Sequence, residues 1–208
     1  MSSVVLFLVG FLAQAFFSAR ILVQWILSEK KKQVVSPTLF WVLSVLGSYL
    51  LFLYGWLRDD FAIILGQVIA YYIYLWNLKE KGLWTRLPLV VRSVLVLTPL
   101  AAGAWIAVDF NQFVRSFFHN EAVPLWLLVF GSAGQVIFTL RFIYQWYYSY
   151  RRHESLLPIG FWVTSLVGSA TIIAYALFRL DPVLILGQSV GFVAYSRNIM
   201  IGLKEKQV

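Results

Sequence analysis

Apolar residues in this chain fall in long unbroken blocks separated by short polar joints. The blocks cover about 3–28, 36–57, 60–78, 87–108, 122–148, 157–179 and 181–202. Each approaches the ~20 residues that a helix needs to cross a hydrocarbon layer ~30 Å thick. The pattern therefore predicts seven membrane-spanning helices. The joints carry helix punctuation: Ser36-Pro37 reads as an N-cap followed by proline in the first turn. Asp60 and Asp181 are placed to cap the third and seventh spans, with Pro182 in the first turn of the seventh, and Pro88 and Pro124 fall near other span starts.

Composition strengthens that reading. Of the 208 residues 61% are hydrophobic and 12% charged, against about 45–50% and about 25% in a soluble domain. So little charge leaves too little polar surface to coat a water-soluble globule. The absence of cysteine excludes a disulfide scaffold, a thiol nucleophile and a Cys-built zinc site. The net charge of +8 lies mostly in four clusters: Lys30–Lys32, Lys79 with Lys81 and Arg86, Arg151–Arg152, and Lys204 with Lys206. They follow the first, third, fifth and seventh spans, which marks cytoplasmic loops rather than a nucleic-acid-binding face. The chain is thus expected to be multi-pass, with its N-terminus outside and its C-terminus in the cytoplasm. Ala13-Gln14-Ala15 looks like a signal-peptidase site, yet no basic stretch precedes the first apolar run, so this segment is read as an uncleaved span.

An internal repeat sets the architecture. Residues 10–78 match 131–199 at a constant offset of 121, without a gap. Gln14, Arg20, Gln24, Trp25 and Ser28 recur as Gln135, Arg141, Gln145, Trp146 and Ser149. Pro37, Phe40, Trp41, Ser44, Gly47, Ser48 and Tyr54 recur as Pro158, Phe161, Trp162, Ser165, Gly168, Ser169 and Tyr175. Asp60, Gly66, Gln67, Tyr74 and Asn77 recur as Asp181, Gly187, Gln188, Tyr195 and Asn198. Each copy has three spans, so the unmatched fourth span restores orientation and makes the copies parallel, as in the SWEET class of transporters. The expected division is 1–82 for the first copy, 83–120 for the linker helix and outer loop, and 121–208 for the second copy.

With these residues in place, each half resembles the lipid A biosynthesis N-terminal domain family. The pattern Gln14…Arg20…Gln24-Trp25…Ser28-Glu29, Pro37…Phe40-Trp41…Ser44…Gly47 and Asp60…Gly66-Gln67…Tyr74…Asn77 carries the resemblance, and the second copy closes with Tyr195-Ser196-Arg197-Asn198. Two positions depart from it: Trp76 stands where arginine is expected, and Tyr150 where an acidic residue is. The family precedes some lipid-A-disaccharide synthases and is grouped with SWEET and PQ-loop proteins. The resemblance implies an all-α, 3+1+3 integral membrane fold in the bacterial inner membrane. The chain is expected to lack a nucleotide-sugar-binding domain, and the family name is accordingly not read as an enzymatic activity.

Arg20 and Arg141 are the sharpest candidates for chemistry. Arginine inside hydrocarbon costs about 2.5–3.5 kcal/mol on insertion scales. One reading has both face a cavity and bind a phosphate, which matches the guanidinium fork. The other has them snorkel to the interface or tie off carbonyls within the bundle. Gln24 and Gln145 share their helix faces. Gln67, Tyr74 and Asn77, with Gln188, Tyr195 and Asn198, form matching stripes that either line the cavity or hydrogen-bond between helices. Ser44, Gly47, Ser48 and their repeats read as close-packing stripes, and Trp25, Trp41, Trp146 and Trp162 as an interfacial belt or a wall for an acyl chain or sugar. Arg58 and Arg179 read as ion-pair partners of the capping aspartates. His119 and His153 lie in opposite loops, and no catalytic, metal-binding or cofactor-binding constellation is found.

The function expected is that of a flippase-like transporter. Its ligand would be a membrane lipid: a polyprenyl-phosphate-linked sugar or a lipid A-type phosphoglycolipid, moved by rocking of the two copies. The rivals are a non-catalytic accessory subunit of a glycosyltransferase and a neutral-sugar carrier. A homodimer is compatible with either.

Overall fold

A computed structural model describes residues 3–57, 61–108, 125–179 and 182–205. They form seven long helices and no strand: α1 (Ser3–Lys31), α2 (Thr38–Leu57), α3 (Phe61–Glu80), α4 (Leu89–Val108), α5 (Leu125–Arg152), α6 (Ile159–Arg179) and α7 (Pro182–Glu205). A 3-10 turn, Trp84–Arg86, precedes α4. Each helix falls on one expected block. Helices α1, α3, α5 and α7 extend two to four residues further, since helical hydrogen bonding continues through the basic ends where hydropathy has already fallen. Asp60, Asp181, Arg58, His119 and Pro124 lie outside the described residues, as does the rest of 109–124.

Helix ends repeat as faithfully as the helices. Lys32 (φ 55°) follows α1 and His153 (φ 50°) follows α5, both left-handed and one repeat apart. At α5 the Glu154 amide reaches back to the Ser149 carbonyl at 3.2 Å, closing the helix in the manner of a Schellman motif. Gly82 (φ 70°) plays the same part after α3, where the Leu83 amide bonds the Leu78 carbonyl at 3.1 Å.

Two compact units partition the chain: Met1–Phe17 with Trp41–Ala122, and Ser18–Phe40 with Val123–Val208. In the first, α3 packs on α4. Pro99 interrupts α4, and lacking an N–H it leaves the Leu95 carbonyl without its helical donor. The Tyr71 hydroxyl fills that role at 3.0 Å, and Tyr72 donates to the Val96 carbonyl at 3.0 Å. In the second unit, α6 packs on both α5 and α7, while the C-terminal half of α1 joins them.

Large apolar side chains face outward, among them Leu8, Phe11, Leu97, Trp126 and Phe178, each more than half exposed. Leu8–Lys31 and Ile159–Phe178 are long and apolar enough to cross a membrane, and Thr38–Tyr54 and Leu89–Ala101 are shorter apolar stretches.

Candidate functional site

The second unit contains both arginines. Arg20 projects from α1 and Arg141 from α5, and they are only 5% and 4% exposed, so neither reaches out to solvent. Instead they meet aromatic faces. The Arg20 Cζ lies 5.3 Å from the centre of Phe40, and the Arg141 Cζ lies 5.8 Å from that of Phe161, the equivalent residue one repeat on. Both guanidinium groups also share one ring. Arg20 is 5.4 Å and Arg141 4.6 Å from the centre of Phe142. Arg141 sits closer still on Phe138, three residues before it on α5, at 3.2 Å.

A desolvated cation over an aromatic face gains about 2 kcal/mol. Two like charges sharing one ring also repel each other. An anion held by both would turn that repulsion into attraction. Phe142 has no counterpart in the first copy, where Ile21 occupies the position, so comparison of the repeats alone does not reveal it. Phe40 and Phe161 were visible as repeated residues, but nothing in the sequence marked them as arginine partners.

Beside the arginines lies an amide network. Gln24 and Asn198 are fully buried and bond reciprocally, with Gln24 Nε2 donating to Asn198 Oδ1 at 2.8 Å and Asn198 Nδ2 to Gln24 Oε1 at 3.0 Å. Gln24 also donates to Ser28 Oγ at 2.9 Å and to the Val35 carbonyl at 3.2 Å, while the Val35 amide donates to Ser28 Oγ. Gln145 repeats the pattern with Ser149 Oγ and the Leu156 carbonyl, at 2.9 and 2.8 Å. These amides hold the helix end to the turn that follows it. Asn77 and Asn198 each donate to the carbonyl four residues back, at 2.8 and 2.9 Å. In the first unit Ser48 Oγ donates to Gln67 Oε1 at 2.9 Å; in the second Ser169 Oγ donates to the Gln188 carbonyl at 3.3 Å. Tyr74 and Tyr195 are buried, 6.2 and 6.0 Å from Trp41 and Trp162 respectively. Those two tryptophans are core residues, wholly enclosed rather than set in an outward belt. Among the described residues no cluster of three His, Cys, Asp or Glu is placed to hold a metal ion.

The geometry defines an all-helical protein with two successive copies of one helical segment, each supplying a buried arginine to a shared aromatic ring. Residues 9–79 and 130–200 each match the Lipid A Biosynthesis N-terminal domain, and the chain belongs to that family. It is 31% identical over 97% of its length to a lipid-A-disaccharide synthase of Chlamydia pneumoniae, and 32% identical over 98% to one of Chlamydia caviae. A lipid-A-disaccharide synthase of Chlamydia trachomatis serovar D is 32% identical over 96% of the chain. The chain spans about a third (34%) of the length of these relatives. No solved structure matches it. The family and these relatives relate the chain to lipid A biosynthesis.

Proposed function

We propose that this protein is a seven-span carrier of the bacterial inner membrane that binds and translocates a phosphate-bearing lipid or lipid-linked sugar. Its arrangement is 3+1+3, with copies over 1–82 and 121–208 and a linker over 83–120. The outward apolar side chains and the basic clusters at the C-terminal ends of α1, α3, α5 and α7 support a membrane setting with a cytoplasmic C-terminus. One observation carries the ligand assignment: two buried arginines, one from each copy, lie over the same phenyl ring. A phosphate accepts charge-assisted, paired N–H bonds from guanidinium forks, whereas the hydroxyls of a neutral sugar accept without charge assistance. Membership of the family supports reading that lipid as one of lipid A or envelope glycolipid metabolism.

Flipping of a fluorescent phosphoglycolipid in proteoliposomes tests this. Transport by the wild type and its loss in Arg20→Ala/Arg141→Ala are expected. Wild-type rates in the double variant would remove the site assignment, and absence of transport by the wild type would remove the carrier reading.

A second reading has its own support. In relatives named lipid-A-disaccharide synthase, the matching region is about a third of a longer polypeptide. The chain then acts as a membrane module that positions a glycosyltransferase acting on lipid-linked substrates. Stable co-purification with such an enzyme, and no flipping by the chain alone, distinguishes this reading from the first.

A further inference from the structure

Trp162 is wholly buried, and its indole Nε1 has no hydrogen-bond partner among the described residues. Indole has one N–H to give and no lone pair to receive, and a buried tryptophan usually finds an acceptor for it. An orphaned N–H forfeits the hydration it had in the unfolded chain. The fold retains this donor at a position tied to Arg141 along two routes. Phe161 is shared, with the Trp162 ring centre 4.9 Å from it and the Arg141 Cζ 5.8 Å from it. Tyr195 provides the other route, 6.0 Å from Trp162 and 6.3 Å from Phe138, on whose face Arg141 rests.

A donor without an acceptor selects a ligand that brings one. With the Arg141 guanidinium one shared ring away at Phe161, the acceptor that fits is an oxyanion, and phosphate offers several oxygens in different directions. We propose that Trp162 is a ligand-binding residue of the arginine site, its indole N–H donating to an oxygen of the phosphate group held by Arg20 and Arg141. This rests on the reading of the two arginines as an anion site. It adds a neutral donor whose direction fixes how the phosphate is turned, which charge alone does not do.

The full chain in detergent micelles, carrying 15N in its indole groups, provides the test. The resonance missing from Trp162→Phe identifies Trp162, and the substitution removes the donor while keeping a smaller aromatic ring in the core. If Trp162→Phe does not fold, the resonance is assigned by elimination, with phenylalanine placed at the other tryptophans. Two probes are titrated, inorganic phosphate and dodecyl phosphate.

On saturation the Trp162 resonance moves downfield in the wild type and stays in place in Arg20→Ala/Arg141→Ala. Trp162→Phe binds the same probe at least about tenfold more weakly, the effect of losing a hydrogen bond to a charged group. A response to dodecyl phosphate alone assigns a lipid headgroup, and a response to both probes a free phosphate; either supports the donor. Binding with an unmoved Trp162 resonance and undiminished affinity in Trp162→Phe overturns the inference and leaves the arginine site standing. Binding of neither probe to the wild type overturns both.

Discussion

Glu29 on α1 and Arg197 on α7 form an ion pair, with a second bond from Arg197 Nη2 to Glu29 Oε2 at 3.2 Å, and one repeat away both charges are absent together. Their equivalents are Tyr150 and Trp76, the two positions that depart from the repeat. The two departures thus replace both members of the charged pair rather than one. Losing one charge alone strands its partner, and losing both together does not.

Charge exchange checks this. Glu29→Arg or Arg197→Glu alone should lower the melting temperature in detergent, and the double exchange should recover most of the loss. The side chains are 36% and 42% exposed, so the change should be modest and should shrink at high salt. A double exchange no more stable than the single ones would refute the coupling.

Gly168 brings α6 against the backbone of α5. A methyl group there would sit 2.9 Å from Phe138 Cβ and 3.0 Å from its Cα and N, where little can yield. At the equivalent Gly47 it would meet the Phe17 ring at 3.1 Å and the Ala13 carbonyl at 3.2 Å. Gly168→Ala should cost about 1–3 kcal/mol or more through overpacking, despite the better helix propensity of alanine. Gly47→Ala should cost less. Thermal unfolding of the two variants gives the order, and a reversed order would contradict the packing argument.

Tyr71 and Pro99 act as a pair. Tyr71→Phe leaves the Leu95 carbonyl without its donor and should destabilise by about 1–3 kcal/mol. In a Pro99→Ala background the alanine N–H restores the helical bond, so the same substitution should cost much less. A double-mutant cycle measures that coupling. Equal costs in both backgrounds would mean that the phenol does not replace the missing donor.

Lys32 and His153 hold left-handed backbone without being glycine or asparagine. Lys32→Gly and His153→Gly should each stabilise by about 1 kcal/mol, since the left-handed penalty for a residue with a Cβ exceeds the extra chain entropy of glycine. Chemical unfolding of each variant reads this directly, and a loss of stability would show that these side chains compensate for the strain.

Much of the fold was legible in the residues alone. Seven apolar blocks became seven helices because helix formation and hydropathy are local properties, readable from each segment in isolation. The repeat was legible because Gln, Arg, Trp, Pro and Gly do not recur at a fixed spacing by chance composition, and the family match to 9–79 and 130–200 follows the same spacing. Arg20 and Arg141 stood out for a thermodynamic reason: a charge within an apolar block needs an explanation.

Tertiary structure decided which groups meet. Gln24 finds Asn198 at a separation of 174 residues, and Glu29 finds Arg197 at 168, so the first helix of one copy pairs with the third helix of the other. Periodicity reports which face of a helix is apolar, not which distant helix will cover it. For the same reason Phe142, without a repeat partner, became the ring shared by two arginines, and Trp162, expected at an interface, became a buried donor. The chain determined its helices and its two charges; long-range packing determined that those charges lie on one ring.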